Sequence, residues 1–262
     1  MRPDRDWHDV IVTAINTPIV IVSAAMSVPS GFYKPLVAAF AEHGWEARVQ
    51  PTRGFERGQP TASREHDWSY ATEAQGIADM VAQARADAPG RPVLLLGHSL
   101  GSQIGAMHQV HHEPADGFVV IGASIPWFRS YPHAGLPVLW LGVSVPVAAR
   151  VFGYVPKPWF GGPGARTLMR EWARFVRTGR PPFDVPHAVT SPSLVIDLDG
   201  DTYAVSKATD HYVRTFLDPD VTERWTYDDP PEGGNTHHVM WGRTPAPVVD
   251  RIVEWWSRRA TG

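Results

Sequence analysis

The stretch LLLGHSLGSQIG, from Leu94 to Gly105, sets a lone serine between two glycines where an aliphatic run gives way to a helix-compatible pattern. A strand-to-helix turn this tight crowds the backbone, and Gly97 and Gly101 let it close with Ser99 projecting outward. A hydroxyl displayed this way is a poor nucleophile at neutral pH. It needs a base within hydrogen-bond reach, and an imidazole has the pKa to take a proton and return it to a leaving group. Two later segments offer partners: LVIDLDGDTYAV supplies Asp197, Asp199 and Asp201, and PEGGNTHHVMWGR supplies His237 and His238. Asp201 is preferred, because the strand should end near Leu198 and the acid usually sits a few residues past it, beyond a glycine-containing turn. Asp199 is second, and Asp197, inside the strand, is expected to face helices or solvent or to serve as a hydrogen-bonding partner. Of the two histidines His238 is preferred, its second ring nitrogen held by the carboxylate that fixes the tautomer and stabilises the imidazolium. Short G-x-S-x-G matches also arise by chance as plain glycine turns, so the surrounding elements must decide.

Those elements alternate. Pro18 to Ala25 is a short aliphatic, β-branched run and Trp45 to Gln50 a weaker one, with a helix between them from Tyr33 to His43 ended by Gly44. Ser69 to Asp87 is alanine-rich with helical periodicity, and Pro92 to Leu96 and Gly117 to Ala123 are buried-type strands on either side of the helix that follows Ser99. Ser193 to Leu198 and Val221 to Tyr227 resume as strands, and Pro247 to Trp256 closes as a helix with Val249, Ile252, Val253 and Trp256 on one face. Continuous aliphatic strands alternating with helices predict an α/β fold, a mostly parallel, doubly wound sheet covered on both faces. From about Pro126 to Pro186 the rhythm breaks into a Trp-, Gly- and Pro-rich stretch with one good helix, Arg166 to Val176. The expected organisation is a core over 1–125, a lid inserted over 126–190, and the core again over 191–262.

Four stretches beyond the serine turn, AAMSVPSGFYKPLVAAFAEHGW, GHSLGSQ, FGYVPKPWFGGPGARTLMREWARFV and HHVMWGR, resemble the bacterial predicted serine hydrolases of the α/β-hydrolase superfamily. The resemblance runs from about Pro18 to the end of the chain and implies that fold, with a helical lid and the triad order Ser, Asp or Glu, His. It implies His238 in the catalytic slot, with His237 where glycine is common. It also implies that Met26, just after the first core strand, and Leu100, directly after the serine, supply the backbone N–H groups of an oxyanion hole. The chain departs from the pattern where QPTRGFERG carries Pro51 in place of an aspartate, keeping Arg53 and Gly54, and where Ser102 replaces a common glycine. The opening β-hairpin looks abbreviated, since only Val10 to Ala14 precedes the Pro18 strand, so the sheet is expected to lack an edge.

The insertion carries Trp127, Phe128, Trp140, Phe152, Tyr154, Trp159 and Phe160. Trp127, Trp140 and Trp159 are the candidate substrate contacts, favouring an acyl or aromatic substrate of low polarity, against the plainer possibility that such residues pack the lid onto the core. Arg129 is a candidate contact for a carboxylate or a phosphate-bearing carrier arm, against an ordinary solvated arginine. His108, His111 and His112 have helical spacing that could suit a metal, but with only Glu113 nearby as a carboxylate they are not read as a metal site. No cofactor is expected.

Composition bounds the alternatives. A chain of 262 residues, 43% hydrophobic with a formal net charge of −3, is globular and shows no basic run for nucleic acid or an anionic membrane surface. With no cysteine, disulfides, thiolate catalysis and Cys-ligated zinc are excluded together, which suits a reducing cytosol. MRPDRDWHDV lacks the apolar stretch of a secretory signal and no run of 18 apolar residues occurs, so an unexported, cytoplasmic protein without membrane association is expected. The expected function is hydrolysis of an ester or thioester of a small acyl substrate, carrier- or CoA-linked acyl groups among them, through an acyl-enzyme on Ser99. Acyl transfer, or elimination or cyclisation on a small molecule with the same three residues, is the second reading, and a hydrolase-like binding protein with an idle site the third.

Overall fold

The computed structural model describes residues 17–157 and 159–260. Six strands, β1 (Ile19–Ser23), β2 (Glu46–Val49), β3 (Val93–His98), β4 (Gly117–Ile121), β5 (Ser193–Leu198) and β6 (Thr222–Tyr227), form one sheet in the order β2-β1-β3-β4-β5-β6. Every neighbouring pair is parallel. The strands are joined through helices α1 (Lys34–Glu42), α2 (Tyr70–Asp87), α3 (Leu100–His111), α4 (Leu136–Phe152), α5 (Arg166–Thr178) and α6 (Ser206–Phe216), and α7 (Ala246–Ala260) follows β6. Among the described residues β2 is one edge of the sheet; the Val10 to Ala14 run lies outside them.

Buried parallel strands must be apolar on both faces, and β1 and β3, IVIVS and VLLLGH, are buried at every position. Their side chains alternate between two cores. Ile19, Ile21, Leu95, Phe118 and Val120 point to one that also holds Ile77 and Val81 of α2, Ile104 of α3 and Phe216 of α6. Val20, Val22, Leu94, Leu96 and Ile121 point to the other, with Leu36 and Phe40 of α1 and Val249, Ile252 and Trp255 of α7. From β1 the chain steps out to β2, then crosses back to β3. The order in which strands are added therefore reverses between β1 and β3, and the crevice beyond their carboxyl ends is where such sheets bind ligands.

Between β4 and β5 the chain leaves the sheet. Two helices there, α4 and α5, pack against each other, and the second is tied to the core by Asp67, which accepts the Thr167 backbone N–H at 2.8 Å and the Thr167 hydroxyl at 2.6 Å. Glu171 of α5 accepts the Tyr70 N–H at the start of α2 at 2.8 Å. Helix α4 was not anticipated from the sequence, and the reason is visible in its composition. It is rich in valine and holds Pro146 in its interior, both unfavourable to a helix, whereas Pro137 sits in the first turn where proline is tolerated. Pro146 cannot donate to the Gly142 carbonyl one turn earlier, and the Arg177 guanidinium of α5 donates to that oxygen instead. A tertiary contact thus supplies what the local sequence removes. Helix α6 was also unanticipated; Ala208, Tyr212 and Phe216 recur every four residues on its buried side.

The helical segment His133–Phe152 is long and apolar enough, by length and composition only, to cross a membrane, although Ser144 and Arg150 interrupt it and no unbroken run of 18 apolar residues occurs. Its Leu136, Trp140, Val143, Val147 and Val151 are exposed.

Arg177→Ala is expected to leave the Gly142 carbonyl unpaired, a cost of about 1–3 kcal/mol confined to the α4–α5 pair. Amide exchange in α4 should accelerate by roughly tenfold or more with little change in β3 to β5, measured by hydrogen–deuterium exchange.

Candidate active site

The serine turn is as crowded as its glycines suggest. Ser99 has φ 54° and ψ −113°, a strained conformation for a residue with a side chain, and Leu100 opens α3 immediately after it. A methyl group on Gly101 would lie 2.1 Å from the Ser23 carbonyl oxygen, so the first turn of α3 presses backbone to backbone on the end of β1. Ser102, where glycine is common in the resembling family, donates its hydroxyl to the Gly97 carbonyl at 2.7 Å, and the Tyr212 hydroxyl donates to the Ser102 carbonyl at 2.7 Å. The polar side chain therefore braces the turn from within.

The three residues read from the sequence meet at this point. His238 Nε2 lies 2.8 Å from Ser99 Oγ, and His238 Nδ1 lies 2.5 Å from Asp201 Oδ2. The side chains of His238 and Asp201 are 8% and 2% exposed, so their hydrogen bond is sheltered from water. The other Asp201 oxygen accepts the backbone N–H groups of Tyr203 at 2.8 Å and Ala204 at 3.1 Å, which fixes the carboxylate plane. Burial alone would raise the Asp201 pKa, but the hydrogen bond and charge of His238 and these two N–H groups more than offset it and hold the carboxyl below its ordinary value. Asp201 is thus held in its ionised form beside the imidazole. Gly122, at the end of β4 with φ 56°, gives the pair its space: a methyl group there would fall 3.0 Å from His238 Cε1.

The neighbouring candidates are elsewhere. Asp199 is exposed, and its backbone carbonyl accepts the Thr236 hydroxyl at 2.7 Å. Asp197 pairs with Arg224, Oδ2 to Nε at 2.5 Å and Oδ1 to Nη2 at 3.1 Å. His237 is exposed, at the rim of the cavity that lies over Ser99.

A second set of residues, which the sequence reading did not single out, holds the loops together. The buried Tyr33 hydroxyl accepts the Ala25 N–H at 2.9 Å and lies 2.8 Å from His98 Nδ1, while His98 Nε2 lies 2.7 Å from the His238 carbonyl oxygen. Two groups approach His98 Nε2, the His238 carbonyl at 2.7 Å and the Trp241 indole N–H at 3.3 Å; the carbonyl is the closer and only accepts, so Nε2 carries the proton and Nδ1 accepts from Tyr33. Burial, with the neighbouring His238 adding to it, brings the His98 pKa down to about 3, so the ring stays neutral and its two edges stay distinct. One chain of hydrogen bonds therefore joins the loop after β1, the residue before Ser99 and the backbone of His238. Their only sequence signal was a histidine in the position before the serine.

The cavity over Ser99 measures about 480 Å³, within the range of small-molecule sites. Met26, Ser99, Leu100 and His238 line it from the core, and Val138, Leu141, Trp159, Phe160 and Trp172 from the inserted segment. The Tyr203 ring lies over His238, centroids 5.2 Å apart, and its backbone carbonyl accepts the Tyr131 hydroxyl at 2.7 Å. Of the three candidate tryptophans only Trp159 lines this cavity. Trp127 is turned away, packed edge-on to His211 and against Gly179, because the Gly179 turn closes α5 onto it. Trp140 is 60% exposed and stacks on Trp159 at 5.0 Å, behind the ring that faces the cavity. The Arg129 guanidinium lies 5.5 Å from the Trp127 and Phe128 ring centroids, away from Ser99's cavity. The rings of His108 and His112 stack at 5.5 Å, and among the described residues no group of three or more His, Asp or Glu could hold a metal ion.

A family model described as serine aminopeptidase, S33, matches residues 16–157. The chain belongs to this family of α/β-hydrolases. Among solved structures it is similar to a soluble variant of monoglyceride lipase from Saccharomyces cerevisiae in complex with a substrate analog, at 13% identity over 93% of this chain and 87% of that one, with a TM-score of 0.70. An esterase from Exiguobacterium antarcticum is 15% identical over 92% of each chain, with a TM-score of 0.60. The thioesterase domain from the curacin biosynthetic pathway is 15% identical over 91% of each, with a TM-score of 0.55. At these identities the likeness is one of fold. No curated protein matches the chain.

Tyr33→Phe keeps the ring but leaves the Ala25 N–H and His98 Nδ1 without their buried partner. A stability loss of about 1–3 kcal/mol is expected in urea unfolding, together with slower acylation of Ser99 by an activated ester.

Proposed function

We propose that the protein is a serine hydrolase that cleaves an ester or thioester of a small apolar acyl compound through an acyl-enzyme on Ser99. The observation that carries this reading is the continuous hydrogen-bonded chain from Ser99 Oγ through His238 to Asp201 at the floor of a largely apolar cavity. In the first step His238 Nε2 takes the hydroxyl proton as Oγ attacks the carbonyl carbon, and Asp201 steadies the imidazolium. The tetrahedral oxyanion is met by the backbone N–H groups of Met26 and Leu100, each worth on the order of 3 kcal/mol in the transition state. Leu100 suits this because it opens α3, where backbone N–H groups have no intrahelical acceptor and the helix dipole favours negative charge. Collapse expels the alcohol or thiol, which takes the proton back from His238, and water repeats the sequence on the acyl-enzyme. The roof of Val138, Leu141, Trp159 and Phe160 favours an apolar acyl group, and the fold is shared with lipases, esterases and a thioesterase.

A fluorophosphonate probe should label the wild-type protein, and Ser99→Ala should abolish labelling; persistent labelling would discard the assignment. Against p-nitrophenyl esters and acyl thioesters, with products followed by mass spectrometry, free acid should accumulate. His238→Ala should slow acylation by about 10³-fold or more, while His237→Ala, at the rim, should cost little.

A further inference from the structure

Beside the catalytic cavity is a second, smaller one of about 50 Å³. Met26, Leu100 and Phe160 line both, so the two meet directly beside the proposed oxyanion donors. The walls of the small cavity are apolar, formed by Trp68, Ile104, Leu168 and Met169, but one end is polar, formed by Gln50, Arg53 and Glu73. At roughly 10–15 Å³ of such space per water-sized group, it accepts a chain of about three to five non-hydrogen atoms.

The polar end is built and incompletely satisfied. Glu73, in the first turn of α2, has a side chain only 10% exposed. Ser23 Oγ donates to Gln50 Oε1 at 3.2 Å, which turns the Gln50 amide nitrogen toward α2. That nitrogen donates to the Glu73 backbone carbonyl at 2.9 Å and reaches Glu73 Oε2 at 3.3 Å. Glu73 Oε1 faces Arg53 Nε at 3.6 Å, beyond hydrogen-bond distance. The Glu73 carboxyl thus takes one side-chain hydrogen bond, from Gln50, and an ion-pair contact with Arg53, which leaves Oε1 with acceptor capacity for a further donor. Burial raises the Glu73 pKa to about 7, with the Arg53 charge opposing it.

We propose that this cavity is a specificity subsite for a short substrate arm ending in a hydroxyl group, which donates to Glu73 while its methylenes lie against Ile104, Leu168 and Met169. A hydroxyl fits better than an ammonium group, because Arg53 already places a positive charge beside the same carboxylate. The proposal rests on the hydrolase reading for the substrate's identity as an ester, but not for the binding of the hydroxyl arm itself.

Two measurements separate these. Aliphatic esters of graded chain length, hydroxyl-ended, methyl-ended or ammonium-ended on either the acyl or the alkoxy side, are compared by kcat/KM. At one length the hydroxyl-ended ester should be favoured by about tenfold, because a site that hydrogen-bonds a substrate hydroxyl penalises its absence. Glu73→Leu should erase that ratio and Glu73→Gln, which keeps an acceptor, should retain part of it. In parallel, the Ser99→Ala protein carrying ¹³C-methyl methionine is titrated with butan-1-ol and with methyl propyl ether, a non-donor of equal size. Butan-1-ol should shift the Met169 methyl signal saturably and the ether should not, and Glu73→Leu should remove the response. Ester ratios near one at all lengths, an ammonium-ended preference, or equal responses to alcohol and ether would overturn the subsite. A Met169 response in Ser99→Ala, combined with a wild-type protein that neither labels with fluorophosphonate nor turns over esters, would leave the subsite standing and remove the hydrolase reading.

Discussion

The backbone crossing of α3 over the end of β1 is the constraint from which the rest follows. Gly101 sits so close to the Ser23 and Ala24 carbonyls that no side chain fits, and the turn that brings it there forces Ser99 into a left-handed conformation. Two consequences come from one contact. The serine hydroxyl is lifted clear of the sheet, and the first turn of α3, with its unpaired N–H groups, is brought beside the loop that carries Met26. The cost of the strained dihedral is carried by the two cores beneath, where β1 and β3 are buried along their whole length.

That crossing positions Ser99 but not His238, which arrives on a loop more than a hundred residues later. His98 is what couples them. As the last residue of β3 it is fixed by the sheet, and from there its neutral imidazole reaches Tyr33 on one edge and the His238 backbone on the other. Neutrality matters, because a ring that gained a second proton would turn its acceptor edge into a donor and lose the Tyr33 hydroxyl proton as a partner. Gly122 contributes by omission, leaving room for the imidazole and carboxylate beside β4.

The inserted segment is held to this core at a few polar points, chiefly Asp67 at the start of α5 and Glu171 on Tyr70, while its apolar inner side roofs the cavity. Its helix α4 depends on a neighbour for a backbone partner at Gly142. The same segment that roofs the cavity thus draws on a tertiary contact to complete its own helix, and a few contacts set both its place and its order.

The sequence by itself determined the sheet, the serine turn and the choice of Ser99, Asp201 and His238 as the residues to bring together. Each rests on a local rule: aliphatic runs bury, a tight turn needs glycine at fixed offsets, and an acid and a histidine follow late strands in order. Tertiary structure alone decided what local rules do not reach. Tyr33 and His98 act through contacts across 65 and 140 residues of chain, and neither spacing leaves a pattern. Helix α4 forms against its own composition because Arg177 repairs the break at Pro146. Trp127, Trp140 and Trp159 are indistinguishable by type, and only packing turns Trp159 toward the cavity, stacks Trp140 behind it and sets the half-buried Trp127 against Gly179. Chemistry that depends on residue type and order is written along the chain, whereas direction and distance between remote side chains exist only once the cores have closed.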